Sequence, residues 1–277
     1  MNLKRKILIL RLDELGDFIL WLDCAKEFKR IYPNDQITLM FNVKWLDLVK
    51  TLPYWDEYIG INPKRFRLDP VYRMSIKWAL DKLKYDIVIS PRCSPRPFLE
   101  DSIIKMSGAK EIYKYESLPE QHELINNSQF MHTWLPEFQA SVPKLNEPLI
   151  YRKSFINIFP LSYRKRKQWG IRKYNELKSK LEEVNHSSYI LNSHIGLLSF
   201  ISLIAHSKLV IANDSAPIHL AAALGVPSVA IGSERYGRFL PYPNLPGVLP
   251  RLVYKPNVKD ITVDEVYEVV REVLNGH

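Results

Sequence analysis

Apolar residues arrive in short runs bounded by turns, and these runs alternate with longer stretches of helical spacing. The block Ile7-Leu8-Ile9-Leu10, inside Lys6 to Arg11, is continuous in the way of a strand buried on both faces. Asp13 to Asp17 reads as a turn, and Phe18 to Ile31 carries apolar positions at helical spacing. Gln36 to Phe41 predicts a second strand, Val43 to Leu52 a helix, and Glu57 to Asn62 a short strand after the breaker Pro53. Tyr72 to Lys84 predicts a helix, Tyr85 to Ser90 a strand, and Phe98 to Ser107 a helix closed by Gly108. Repeated β-α units of this kind form a parallel sheet covered by helices.

From Tyr115 to about Lys153 the pattern gives way to polar residues with Pro119, Pro136, Pro143 and Pro148, interrupted by a helical stretch at Ser128 to Leu135. The domain boundary is therefore expected near residue 150, with one domain over 1–150 and a second over 151–277. Alternation restarts with a strand at Phe155 to Phe159 and a helix at Ile171 to Val184. Strands at Ser188 to Leu191, Leu209 to Ala212 and Ser228 to Ile231 follow, separated by helices at Leu197 to His206 and Ile218 to Leu224. A last amphipathic helix, Val263 to Leu274, has Thr262 or Asp260 as its N-cap. The fold class is α/β, built as two such units.

Composition narrows the picture. A chain of 277 residues accommodates two ordinary domains, and 46% hydrophobic with 25% charged residues is the balance of a folded protein, which excludes a disordered or fibrous chain. Cys24 and Cys93 stand far apart without metal-ligand or disulfide spacing, which points to a reducing compartment. The opening apolar run stops at Arg11 and Asp13, too short for a signal peptide, and no stretch reaches the roughly 20 apolar residues of a membrane span. These features predict a soluble, cytoplasmic protein. A net charge of +9 favours an anionic partner, whether nucleic acid, an acidic membrane surface or a phosphorylated small molecule. The basic cluster Arg164-Lys165-Arg166-Lys167 lacks interleaved aromatic residues, so no nucleic-acid partner is expected. No strongly amphipathic basic helix stands out, although the charge is compatible with transient, peripheral contact with an anionic inner-membrane surface.

The densest candidate chemistry lies in the run Leu209 to Pro227. A buried strand ends in Asn213-Asp214-Ser215, a helix opens at Ala216-Pro217, and His219 follows one turn in. A helix N-terminus at the carboxyl edge of a parallel sheet presents unpaired N–H groups and partial positive charge, which suits phosphate. Taken singly, Asp214 or Ser215 reads as an N-cap and His219 as a core residue; three polar groups on one turn favour a site.

This segment resembles the signature of glycosyltransferase family 9, the ADP-heptose:lipopolysaccharide heptosyltransferases, in which a strand leads into Asn-Asp-(Thr/Ser)-(Gly/Ser/Ala)-Pro-x-His-x-Ala-Ala-Ala-x-Gly-x-Pro. The first strand followed by Gly16-Asp17 is similar to the family's opening. Lys167-Gln168-Trp169 resembles its Lys-x-Trp, with Ser162 in the place of an upstream phosphate-contacting hydroxyl. The resemblance implies two Rossmann-like domains facing across a cleft, the GT-B arrangement. It further implies an inverting transfer of a sugar, heptose in this family, from a nucleotide-diphosphate donor, ADP-heptose, to a lipopolysaccharide-core or related surface-glycan acceptor. No cofactor and no metal are expected, since no Asp-x-Asp pair or His/Cys cluster is visible.

The resemblance makes Asp17 the general base, although a Gly-Asp pair before a helix is by itself most often an N-cap. Lys167 becomes the charge that stabilises the departing diphosphate, although a basic run is usually a solvated surface. Ser162, Asp214, Ser215, Ala216 and His219 become the donor-binding set. Arg238, in the loop Arg235-Tyr236-Gly237-Arg238-Phe239-Leu240-Pro241-Tyr242-Pro243, is added because this loop resembles a Gly-Arg-Phe-x-Pro-Tyr-Pro segment of one branch of the family. Arg92 and Arg96, leaving a strand of the first domain in a Pro-rich turn, are acceptor-side candidates. One departure is clear. Where the family carries a further strand with a Gly-rich turn and an acidic residue, only Glu182 to Ser188 stand, so the nucleotide domain is shortened. That shortening leaves a second reading, a catalytically silent protein of GT-B fold that binds or scaffolds.

Overall fold

The computed structural model describes residues 4–92, 97–145, 155–162, 165–191, 195–233, 239–240, 242 and 249–276, and of Arg92 and Pro97 it describes the backbone alone. Packing divides the chain into two compact units, Met1–Ala140 and Ser141–His277. The boundary expected near residue 150 falls among residues 146–154, outside the described residues.

In the first unit the strands are β1 (Lys6–Arg11), β2 (Gln36–Asn42), β3 (Glu57–Ile61), β4 (Ile87–Arg92) and β5 (Glu111–Glu116). They form one parallel sheet in the order β3-β2-β1-β4-β5. The chain winds outward from β1 in one direction and from β4 in the other, so the carboxyl ends of β1 and β4 flank the crevice where such sheets bind ligands. Ile7 through Leu10 are all buried, as a central strand with helices on both faces requires.

Helix α1 (Leu15–Ala25) begins earlier than the periodicity predicts, and the helix expected to run on to Ile31 breaks at Lys26-Glu27 before the short α2 (Phe28–Ile31). Nine of the residues of α1 are buried, including Trp21 and Asp23, and α7 (Glu123–Met131) packs against it. Helix α7 begins five residues before the stretch read as helical and overlaps it as far as Met131, since His122 Nδ1 accepts the Leu124 N–H at 3.1 Å and starts the helix there. Val43–Trp45 form a 3-10 turn before α3 (Leu46–Thr51), where one continuous helix was expected. Helices α4 (Pro63–Leu68) and α5 (Pro70–Leu83) follow β3, each opened by an Asn62 or Asp69 side-chain cap and a proline. Helix α6 (Pro97–Ser107) joins β4 to β5. The sequence pattern missed α4 and β5. Strand β5 is an edge strand with alternating polar and half-exposed residues, Glu-Ile-Tyr-Lys-Tyr-Glu, and carries no apolar block.

The second unit repeats the plan. Its strands β6 (Phe155–Phe159), β7 (Ser188–Ile190), β8 (Ser207–Asn213), β9 (Ser228–Ser233) and β10 (Arg251–Lys255) form a parallel sheet in the order β10-β9-β8-β6-β7. Strand β10, an edge strand of mixed polarity, was also not expected. The helices are α8 (Ile171–Glu183), α9 (Leu197–Ala205), α10 (Ala216–Ala223) and α11 (Val263–Asn275). Tyr174, Leu177 and Leu181 of α8 mesh with Val266, Val270 and Val273 of α11 over β6, β8 and β9. Thr262 is the N-cap of α11, completing a capping box with Glu265. Next to the segment expected to be shortened stands β7, a three-residue strand at the sheet edge paired with β6. No helix among the described residues is long and apolar enough to cross a membrane.

Candidate active site

In the second unit the site forms where β6 and β8, the strands on either side of the reversal in winding, end together. Asn213 closes β8 and clamps two loops: its Nδ2 donates to the Pro160 carbonyl at 2.6 Å, and its Oδ1 accepts the Trp169 N–H at 2.9 Å. Trp169 is buried, and its Nε1 donates to the Ile261 carbonyl at 2.8 Å. Gly170 follows with φ +115°, a left-handed conformation that a side chain would strain. The basic turn Lys165–Lys167 is thus tied to the sheet at its carboxyl side.

Lys167 reaches over the end of β8. Its Nζ lies 3.1 Å from Asp214 Oδ2 and 3.2 Å from the Asp214 carbonyl. The carboxylate is 2% exposed and the lysine 14%, so the acid is the buried anchor and the ammonium the group nearer solvent. A buried carboxylate demands such a partner. Tyr254 of β10 lies beside it, and burial together with the Asp214 charge pushes its hydroxyl far above the ordinary tyrosine range. Room for that ring comes from Gly232 of β9, where a Cβ would stand 2.8 Å from Tyr254 Cε1 and 3.1 Å from Asp214 Cβ.

Ser215 precedes α10 with extended backbone, and its hydroxyl donates backward to the Asn213 carbonyl at 3.1 Å, so no side chain caps the helix. Ser215 and Ala216 are half-buried. His219, one turn in, is buried, and its Nδ1 shares a 2.6 Å hydrogen bond with the Tyr242 hydroxyl while its ring faces Phe239 edge-on. Burial, then the Asp214 charge, holds the Tyr242 hydroxyl protonated well above its usual range. Ser162 is half-buried, with its carbonyl accepting from Gln168 Nε2 at 2.8 Å. The structure therefore gathers Lys167, Asp214, Ser215 and the start of α10 at one strand end.

In the first unit Asp17 sits in the first turn of α1, whose N-cap position is held by Glu14, so Asp17 does not cap the helix. It lies half-buried beside a charge cluster that sequence reasoning did not find. Arg11, the last residue of β1, is 1% exposed, and its Nε stands 2.9 Å from Asp13 Oδ2 and its Nη2 3.8 Å from Glu123 Oε1. The same Nη2 donates to the Asp17 carbonyl at 3.0 Å, and Nη1 donates to the Pro91 carbonyl at the end of β4. The guanidinium also lies 5.4 Å from the Trp21 ring. Arg11 thus fixes the β1–α1 turn across the β1/β4 crevice. Desolvation and the charge of Asp13, only partly offset by Arg11, raise the Asp17 carboxyl to about 7. A carboxylate so tuned exchanges its proton near neutrality. The missed signal was an arginine closing an otherwise apolar strand, a position where a buried cation needs acids from elsewhere.

Arg96 and Arg238 lie outside the described residues, as does the side chain of Arg92, whose backbone ends β4. Among the described residues no group of three or more His, Cys, Asp or Glu side chains is arranged to hold a metal ion.

Residues 185–249 match the family model of glycosyltransferase family 9 (heptosyltransferase). No curated protein matches the sequence. Among solved structures, the fold is similar to a glycosyl transferase family 9 protein of Veillonella parvula, with a TM-score of 0.77 and 15% identity over 100% of this chain and 99% of that one. Escherichia coli heptosyltransferase WaaC, solved with ADP-2-deoxy-2-fluoro heptose, is similar at a TM-score of 0.74 and 14% identity, covering 96% and 99%. Escherichia coli ADP-heptose lps heptosyltransferase II gives 0.73 and 18%, covering 98% and 99%. Two parallel α/β units of this topology are the fold of these glycosyltransferases, and the signature segment at the end of β8 lies within the residues that match the family model. The match to glycosyltransferase family 9 covers the segment whose motif resembles that family, and the likeness of fold to these structures extends over nearly the whole chain.

Proposed function

We propose that this protein is an inverting heptosyltransferase that moves heptose from ADP-heptose to a hydroxyl of a lipopolysaccharide-core or related glycan acceptor, in the cytoplasm and without a metal. The observation that carries the reading is the Lys167 ammonium, held 3.1 Å from a buried Asp214 beside the uncapped start of α10. A cation beside the positive end of a helix at one strand end suits a diphosphate, and their fixed placement is what stabilises charge as it develops. In this reading Asp214 positions Lys167, Ser162 and Ser215 contact the phosphates, and His219, fixed by Tyr242, orients the donor. Arg238 adds a donor contact, and Arg92 and Arg96 meet the acceptor.

The step is a single displacement. The acceptor oxygen bonds to the anomeric carbon as the bond from that carbon to the diphosphate oxygen breaks. ADP leaves with the electron pair, and the acceptor proton passes to the Asp17 carboxylate. One carboxylate suffices because the attack comes from the face opposite the leaving group, with no covalent intermediate. An Asp17 carboxyl raised to about 7 is basic enough to accept that proton while remaining largely ionised above neutrality.

The test is thermal stabilisation by ADP-heptose together with a transfer assay, run before and after treatment with chelators. Asp17→Ala is expected to bind donor and to lose transfer, with chelation changing neither. A chain that no nucleotide or nucleotide-sugar stabilises is a silent scaffold, the outcome that the short β7 edge would then explain. Turnover lost on chelation and restored by a metal ion overturns the metal-free mechanism.

A further inference from the structure

The outer face of α5 is a feature of the first unit that the transfer chemistry does not use. Its inner face, with Ile76 and Leu80, enters the core under the sheet. On the opposite side Val71, Met74 and Trp78 are 79%, 65% and 68% exposed, and Leu68 at the end of α4 is 65% exposed. At 100° per residue the three α5 side chains fall within ~60° of one another, so they form a stripe along the helix. Isolated apolar residues on a surface need no explanation, but four large ones on one ridge do.

The charge around the ridge is one-sided. Residues 63–84 carry seven Lys and Arg against two Asp, a net +5 of the +9 of the whole chain. Both acids are already paired, Asp69 with Arg65 at 3.0 Å and Asp81 with Lys77 at 2.6 Å. Lys64, Arg67, Lys82 and Lys84 are exposed around them, and Lys82 lies 5.6 Å from the Trp78 ring. An exposed tryptophan in an apolar stripe flanked by long basic side chains is the composition of a helix that lies in a bilayer interface, its rings at the headgroup level and its charges on anionic lipid.

We propose that the α4–α5 ridge is a peripheral docking surface for an anionic lipid bilayer, with Leu68, Val71, Met74 and Trp78 entering the interface and the surrounding Lys and Arg contacting headgroups. The occupant is a bilayer because the partner must offer both apolar depth and a broad negative charge. A second copy of this strongly basic ridge would be repelled. The sequence pattern hides the surface, since α5 has apolar residues on both faces and so lacks a single amphipathic stripe. The proposal concerns the first unit alone and holds whether or not the chain transfers a sugar.

The experiment is co-sedimentation of the whole protein with vesicles of phosphatidylglycerol and phosphatidylethanolamine, against pure phosphatidylcholine, with and without brominated acyl chains. Binding is expected on anionic vesicles only, weakening as salt rises, with brominated chains quenching a fluorescence component that Trp78→Phe removes. The pair Val71→Ser and Trp78→Ser should lower partitioning by about tenfold or more at unchanged circular dichroism, given the area these side chains bury. Charge reversal by Arg67→Glu with Lys82→Glu should do the same without touching the apolar stripe. The proposal falls if the protein stays in the supernatant at low salt, or if both variant pairs bind like the parent. It falls equally if sedimentation velocity shows a dimer that the Val71→Ser and Trp78→Ser pair dissolves, which would assign the ridge to a second copy.

Discussion

The two units place charge at equivalent points of equivalent sheets, yet they handle it in opposite ways. At the end of β1 one guanidinium, Arg11, is buried with Asp13 and Glu123, and Asp17 stands close by, so acids outnumber the base. At the end of β8 one ammonium meets one carboxylate, with the carboxylate underneath and the ammonium outward. Crowded acids in a desolvated pocket hold a proton more tightly, whereas a lysine seated on a buried acid is fixed in place. In the function proposed above, this contrast makes Asp17 the proton acceptor of one unit and Lys167 the anion holder of the other, with the side chains at the strand ends deciding which.

The comparison breaks most visibly at Asp17. Asp17→Asn should reduce transfer by about 100-fold to 10,000-fold, the usual range for loss of a general base, measured as kcat/KM under saturating donor. The parent rate should rise with pH up to about 7 and then level off, as the carboxyl ionises. Stability moves the other way. The folded-state value of about 7 lies above the ordinary 3.8, so the native state holds the proton more tightly and stability falls as pH climbs from about 4 to about 7. Asp17→Asn should therefore melt higher than the parent at pH 8, with the difference shrinking steadily toward pH 4 in calorimetric scans.

Lys167→Met tests the other half. Removing the cation should lower kcat by about 100-fold to 1,000-fold and abolish donor-dependent stabilisation, in line with loss of a preorganised electrostatic contact. It also leaves Asp214 buried without this partner, so about 3–5 kcal/mol of stability should go, and the double variant Lys167→Met/Asp214→Asn should recover much of the loss in urea melts without recovering turnover. Were the double variant active, the charge would not be holding the leaving group.

Two smaller changes sharpen the contrast. Gly232→Ala pushes a methyl group against the Tyr254 ring and Asp214 Cβ, and should cost about 1–3 kcal/mol with a rise in donor KM as the Lys167 seat shifts. Glu123→Gln removes one of the charges that raise the Asp17 carboxyl, so the acidic limb of the rate profile should move to lower pH while the plateau rate stays within a few fold. An unmoved limb would mean that the Glu123 charge does not reach Asp17 and that desolvation and Asp13 set its value.

Legibility tracked burial and locality. Central strands β1, β4, β8 and β9 were readable because strands buried on both faces are continuous apolar blocks, and α11 because its Thr262 cap and valine spacing are local. Edge strands β5 and β10 were not, since half-exposed strands carry mixed residues that a loop also carries. The strand-to-helix signature around Asp214 was visible because its elements are contiguous in sequence. Arg11, Asp13 and Glu123 were not assembled, because the acid on α7 lies more than a hundred residues from the arginine it approaches.

By itself the sequence determined the α/β alternation and the signature at the end of β8, because those depend on neighbours within a few positions. Only the tertiary structure decided that Asp214 seats Lys167, that Arg11 is shared among buried acids and that Asp17 therefore titrates near neutrality. It also decided that one face of α5 stays uncovered. Electrostatic environment and exposure are sums over distant parts of the chain, and folding is what brings those parts within reach of one another.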